Sequence, residues 1–419
     1  MTTARPNAAG PGGSGAVPYV MDATTIRVSE PRELLALLPH QLGFRPQESA
    51  VAVSLRAPRG RVGLIARVDL TDLADVVQGP QLARGLVSHL VADGGRRAVL
   101  VIYTELDPRF AVDLESAGAG GELDPGERSA PGNAAFVRVA AEQFREAAEP
   151  FLPEVAVWVV ARSGYLSLDC VDPGCCPPGG RPLRDLDGTA VGAHMVLAGS
   201  MVADSRDELA RIEPAGARAR RNAVRVAERA RARREAALVV GDWALHRWRA
   251  DGMAAWREAV ERSRTGGPGA PPALLGRIEA ALIDVRVRDA VLLALVPGTG
   301  DLPERTLVGS PGRPVGEIAH STSDALDAIM DVRRGIAPDE ELARAGVEVL
   351  EAVVAHTRTA DQAAALTLLA LIAWWQADGA RAGVLLGRAL DGDPDHRLAL
   401  LLTEALARGL SPGWIRRPA

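Results

Sequence analysis

Two uninterrupted apolar runs, "AVLVIY" (98–103) and "VAVWVV" (155–160), constrain this chain more than any other feature. A strand with one face in water alternates apolar and polar residues. A run without polar residues belongs to a strand covered on both faces, as in a parallel sheet between helical layers. Between the runs lies "AAFVRVAAEQFREAAEPF" (134–151), and ahead of the first lies "QLARGLVSHLVADGG" (81–95), whose Leu82, Leu86 and Leu90 stand at helical spacing. Strand–helix–strand units of this length make parallel neighbours joined by crossovers.

Earlier in the chain, "AVAVSL" (50–55) and "RVGLIARVDL" (61–70) flank "RAPRGR", which reads as a hairpin turn, so these two strands are expected to be antiparallel. "SEPRELLALL" (29–38) reads as a helix with Ser29 as cap and Leu34, Leu35 and Leu38 as its buried stripe. Pro39 is expected to stop it, and Gly43 to take a left-handed turn. "YLSLDC" reads as a last strand that hairpins back from "VAVWVV" through Ser163-Gly164. From about residue 214 onward every signal is helical. The final stretch (363–409) resembles one tetratricopeptide repeat, with Ala370, Ala382, Ala389 and Pro394 at the spacing where small residues let two helices touch.

The expected fold is therefore α/β followed by all-α: a mixed sheet with two parallel strand–helix–strand crossovers, then a helical domain with a tetratricopeptide-like hairpin. Residues 1–25, rich in Gly, Pro and Ala, read as a disordered tail. Residues 26–213 form the α/β domain, with a mobile loop at 107–132. Residues 214–272 read as an arginine-rich helical connector and 273–419 as the helical domain.

Composition removes several kinds of chemistry. All 48 basic residues are arginine, so a Walker A loop, a Schiff base and pyridoxal phosphate chemistry have no lysine to use. Nothing matches His-Glu-x-x-His, Gly-x-Ser-x-Gly or a calcium-binding loop, and "GPGGSG" follows no strand. No cofactor is expected. The net charge of −5 argues against a dedicated nucleic-acid binder. Apolar runs such as "ALTLLALIAWW" (364–374) are too short to span a bilayer. The N-terminus lacks the charged start and apolar stretch of a signal peptide, so a cytoplasmic setting is expected.

"LLPHQLGFRPQES", "RVDL", "CCPP" followed by "RPL", "VRVRD" and the alanine-rich C-terminal hairpin resemble an actinobacterial family known as domain of unknown function 4192. The likeness runs from about residue 26 to the end, apart from 107–132 and 216–264. Pro39, His40, Leu42, Gly43, Phe44, Pro46 and Ser49 match its first motif, and Cys170, Cys175, Cys176 and Pro177 its cysteine motif. Leu168 stands where the family pattern has an aromatic. The resemblance implies a bacterial cytoplasmic protein and brings no activity with it.

The strand order gives a place for a site. If the second, third and fourth strands are parallel, their C-terminal ends share one rim, to which the start of the first strand also belongs. That rim gathers His40, Ser49, Asp69, Glu105 and Arg162, with Arg67 beside them, and open α/β sheets bind ligands there. These residues equally suit structural duty: strand-end ion pairs, a helix-end hydrogen bond, a turn serine. The expected function is a binding or regulatory module for a small anionic ligand or a protein partner, with no residue assigned to catalysis. The alternative is a hydrolase using His40, Ser49 and Asp69, or a thiol-dependent enzyme at the cysteine turn. Cys170, Cys175 and Cys176 are expected on the opposite rim, and three roles stand open for them: building a rigid turn, redox exchange or holding a metal.

Among the remaining features, Arg218, Arg221, Arg225, Arg229 and Arg233 are expected to form one positive, solvated helix face. His89 reads as a core histidine. One of Trp374 and Trp375 is expected in the core, with the other marking a partner surface. "VRVRD" (285–289) is expected to supply a buried ion pair joining the two halves.

Overall fold

The computed structural model describes residues 30–57, 60–105, 131–177, 179–307, 315–331 and 335–416. The stretch read as a tail and nearly all of the loop at 107–132 lie outside the described residues.

The first helix, α1 (Pro31–Leu42), starts with proline, whose missing N–H is no loss in a first turn. It continues through Pro39 and ends at Gly43, where φ is 77°. The expectation of a stop before Pro39 is thus corrected. The proline removes one backbone hydrogen bond, but Leu34, Leu35, Leu38 and Leu42 bury a stripe on both sides of it, and that packing outweighs the lost bond.

There follow β1 (Ser49–Arg56), β2 (Arg61–Asp69), a short α2 (Leu70–Leu73), α3 (Gly79–Ala92), β3 (Gly95–Tyr103), α4 (Pro131–Ala148), β4 (Val155–Val160), β5 (Tyr165–Ser167), α5 (Arg184–Asp187) and α6 (Ala190–Leu197). The sheet order is β2-β1-β3-β4-β5. β2, β3 and β4 run one way, while β1 and β5 run the other. Both crossovers are present, but the first passes over β1, so β2 and β3 share a direction without being neighbours. β3 and β4 form the hydrogen-bonded parallel pair. The burial of β1 explains its central place: Val51 and Val53 on one face and Ala50 and Ala52 on the other are all fully buried.

The sheet separates two apolar layers. Ala50, Ala52, Leu100, Ile102 and Val157 pack with Leu70, Leu86, Leu90 and Phe144 from α2, α3 and α4. Val51, Val53, Val99, Val101 and Tyr103 pack with Leu34, Leu35 and Leu38 of α1.

After a 3-10 turn at Arg206–Ala210 the chain is helical: α7 (Ala217–Val240), α8 (Asp242–Arg264), α9 (Pro272–Leu282), α10 (Val285–Ala294), α11 (Leu302–Leu307), α12 (Val315–Met330), α13 (Glu340–His356), α14 (Ala363–Trp375), α15 (Gly379–Gly392) and α16 (Arg397–Ala407). Met253, Trp256, Ala259 and Val260 of α8 belong to the same core as α9, α10, α13 and α14, so the stretch read as a connector packs as part of the helical half. Ala370, Ala382 and Ala389 are buried where α14 and α15 meet.

Arg218, Arg221, Arg225, Arg229 and Arg233 are exposed along α7, as the spacing implies. Two further expectations are corrected. Both Trp374 and Trp375 are buried, because each indole N–H finds a backbone acceptor: the Leu410 carbonyl at 2.8 Å and the Ile336 carbonyl at 2.9 Å. "VRVRD" opens α10 inside the helical half and does not bridge the halves. The buried ion pair there belongs to the preceding Asp284, which caps α10 at Arg286 N and accepts two 3.0 Å bonds from Arg249. No described helix is long and apolar enough to cross a membrane.

Candidate functional site

Strand direction assembles one rim of the sheet. Ser49 lies opposite Asp69 on one side and Tyr103 on the other, and Tyr103 lies opposite Val160. Buried Ser49 sits at the centre. Its Oγ donates to the Gln47 carbonyl at 2.6 Å and accepts from Arg67 Nε at 2.9 Å. Arg67 also pairs with Asp69 through Nη2 at 2.6 Å. The structure thus joins Ser49 and Asp69 through Arg67.

Glu105 and Arg162 pair with each other at the same rim but form a separate group. Both side chains are well exposed. Glu48 anchors this second group: its carboxylate accepts from Glu105 N at 2.7 Å and from Thr104 Oγ1 at 3.1 Å. Glu48 itself has φ of 39°, a left-handed conformation that a non-glycine residue adopts at some energetic cost.

His40, in the last turn of α1, bonds Ser200 through Nδ1 at 3.0 Å. Partial burial, then the positive charge of Arg45, holds its pKa below the ordinary 6.5. Among the described residues no hydrogen bond links His40 to Ser49 or Asp69. The Ser49 proton is directed to a carbonyl rather than to an imidazole, and its other contact is a guanidinium. This arrangement gives Ser49 no general base.

His40 and Arg67 do share a cleft of about 500 Å³ between the two halves. Its other wall comes from the helical half, chiefly Trp374, Gln376 and Asp378 near the start of α15, with Leu410 and Pro412 beyond α16. Arg206, from the 3-10 turn that links the halves, lines it too. Burial lowers the Arg67 pKa first; Asp69 pulls it back up and the Arg206 guanidinium pushes it down again. Arg206 is exposed and, among the described residues, has no carboxylate partner. Asp378 is occupied in capping α15, accepting from Arg381 N at 2.9 Å. Two guanidiniums and an imidazole therefore face a cavity large enough for a small molecule, an arrangement suited to carboxylate, phosphate or sulfate groups. Arg67 is legible in the sequence as part of the rim. Arg206 is not: it belongs to no motif, and only the packing of the halves brings it beside Arg67.

The cysteines form a separate constellation. The chain leaves β5 at Ser167, heading away from the Ser49 end of the sheet, and returns when Arg181 pairs with Tyr165. Between these points the three thiol sulfurs lie within 4.8 Å of one another, each side chain half-buried. A polar contact with Asp172 and a second with Cys176 lower the Cys170 pKa, while burial raises that of Cys176.

The model of a family described as domain of unknown function (DUF4192) matches residues 31–307 and 323–413. No curated protein and no solved structure matches the chain.

Proposed function

We propose that this chain, which belongs to the DUF4192 family, is a non-catalytic binding module that takes a small anionic ligand in the cleft between its halves. The observation that carries the reading is the approach of Arg206, which lacks a carboxylate partner, to Arg67 across a cavity also lined by His40. Like charges held together at a protein surface are relieved by an anion between them. Arg67 is held by Ser49 through Nε and by Asp69 through Nη2, so its Nη1 end is pre-oriented, whereas exposed Arg206 is free to close on the ligand. The reading assumes a bacterial cytoplasm, a reducing setting in which three free thiols in mutual reach persist.

Isothermal titration with sulfate, inorganic phosphate and citrate tests this. At least one anion should bind with one site per chain. Arg206→Ala should weaken it about 10- to 100-fold, the loss of one charge-assisted hydrogen bond, without changing the fold, because Arg206 is exposed. Sulfate keeps its charge across the relevant range, so its pH profile reports on the protein. Neutral His40 gains a proton as pH falls through its pKa, which lies below 6.5, and adds positive charge to the cleft. Affinity should therefore rise on acidification, and His40→Gln should flatten the rise. Absence of saturable binding by all three anions, or binding indifferent to Arg206→Ala, would sink the proposal.

A further inference from the structure

The geometry points to a second, independent site: Cys170, Cys175 and Cys176 form a three-thiolate site for one zinc ion, its fourth coordination position open to water or an added ligand. The spacing of the three cysteines lacks the paired Cys-x-x-Cys knuckles that announce such a site in a sequence. Adjacent cysteines in extended chain would also point to opposite sides. Here they do not, because residues 172–176 turn like a helix: the Asp172 carbonyl accepts from both Cys175 N at 3.1 Å and Cys176 N at 2.8 Å. The Asp172 carboxylate fixes the start of the turn by accepting from Gly174 N at 2.8 Å. In a helical turn neighbouring side chains are about 100° apart instead of 180°, so two successive thiols are not forced to opposite sides.

Cys170 completes the set from the strand side, its amide bonded to the Ser167 carbonyl at 3.3 Å. All three sulfurs then lie within 4.8 Å of one another. Zinc–thiolate bonds of about 2.3 Å at tetrahedral angles require sulfurs about 3.8 Å apart, so a small contraction suffices. Among the described residues no histidine or carboxylate joins the cluster, which leaves one position open.

Charge supplies the second argument. Binding converts three thiols to thiolates and releases three protons, leaving a zinc centre of net charge −1. Arg181 stands ready to offset it: its Nη2 is 3.4 Å from Cys175 Sγ, and its Nε donates to the Cys175 carbonyl at 2.5 Å. A guanidinium aimed at a thiol matches the outer-shell support that thiolate sites use.

The test is titration of the full chain, reduced and oxygen-free, first with Co²⁺ and then with Zn²⁺. The expected result is one Co²⁺ per chain with an intense thiolate-to-cobalt charge-transfer band, displaced by one equivalent of Zn²⁺ with release of about three protons at neutral pH. Cys170→Ser and Cys175→Ser should each weaken zinc at least about 100-fold, and Arg181→Ala about 10-fold. Cys176 packs against the sheet core, so Cys176→Ser risks the fold and the other two variants carry the decision. Far-UV circular dichroism of each metal-free variant confirms that the chain remains folded. No charge-transfer band, or zinc affinity unchanged in folded Cys170→Ser and Cys175→Ser, overturns the assignment.

Discussion

Glu279 is a carboxylate in the wrong place by solvation alone. It is 5% exposed on α9, beneath α7, and burial pushes its pKa up to about 7 against the pull of Arg231. Arg231 pairs with it from α7 and reaches Asp361 at 3.1 Å on its other side. Removing one partner of a buried pair costs about 3–5 kcal/mol, because the remaining charge stays buried and unpaired. Arg231→Met should destabilise the protein by that order at pH 8. The sign with pH follows from Glu279. Its folded pKa already lies above the ordinary 4.5 and rises further without Arg231. Between those values the folded state holds the proton more tightly than the unfolded one, so stability increases as pH falls. Urea unfolding of the variant at pH 8 and pH 6 should show a smaller loss at pH 6; an equal loss at both would mean that packing, not charge, sets the cost. The sequence separates the arginines of α7 well, since 3.6-residue spacing assigns Arg218, Arg221, Arg225, Arg229 and Arg233 to the solvent face. It cannot name the acid that Arg231 meets, 48 positions away.

At the level of elements, the strands and their directions follow from local pattern: the short link from Arg56 to Arg61 requires β1 and β2 to be antiparallel, and long helical links keep β2, β3 and β4 in one direction. Their order does not follow. A hairpin leaves one edge of β1 open, and β3 takes it because β1 can bury both faces, Ala50 and Ala52 against α3 and α4 and Val51 and Val53 against α1. Helix ends show the same division. His396 caps α16, its Nδ1 accepting from Ala399 N at 3.3 Å. Burial, then the charge of Arg288, holds its pKa below 6.5. A histidine kept neutral in the fold favours the unfolded state as pH drops through 6.5, since only the unfolded chain takes up the proton freely. His40 contributes in the same direction, so the contribution of His396 is read as a difference between variants. His396→Ala should cost about 1 kcal/mol at pH 7.5. His396→Asn keeps an acceptor that does not titrate and should lose less stability than wild type between pH 7.5 and pH 5.5. Thermal melts of the three proteins decide; matching pH slopes for wild type and His396→Asn would remove the cap from the account.

For the whole molecule, the seam between the halves matters most and was least legible. Each half declares itself through periodicity, but the seam joins residues far apart in sequence. Ala380 of α15 packs with the α1 face of the sheet, and Gly409 abuts the ring of His89, so that half-buried histidine faces the helical half. Arg388, outside the cleft, donates from α15 to the carbonyl of buried Ala210, at the end of the 3-10 turn that begins with Arg206. This bond ties the turn that carries Arg206 to the helix whose first residues form the opposite wall. Arg388→Ala leaves the Ala210 carbonyl short of a buried partner, at a cost of about 1–3 kcal/mol. If the cleft binds an anion through Arg206, the variant should also bind sulfate more weakly, although Arg388 never touches it. Linkage makes the converse measurable: sulfate at 100 times the wild-type Kd should stabilise wild type by about 2.7 kcal/mol and Arg206→Ala by only about 0.4–1.4 kcal/mol. Calorimetric melts with and without sulfate, on wild type, Arg206→Ala and Arg388→Ala, separate the two contributions. A destabilised Arg388→Ala with unchanged sulfate affinity would show that the seam only holds the halves together, whereas a parallel loss of both would show that their alignment sets the grip of the cleft.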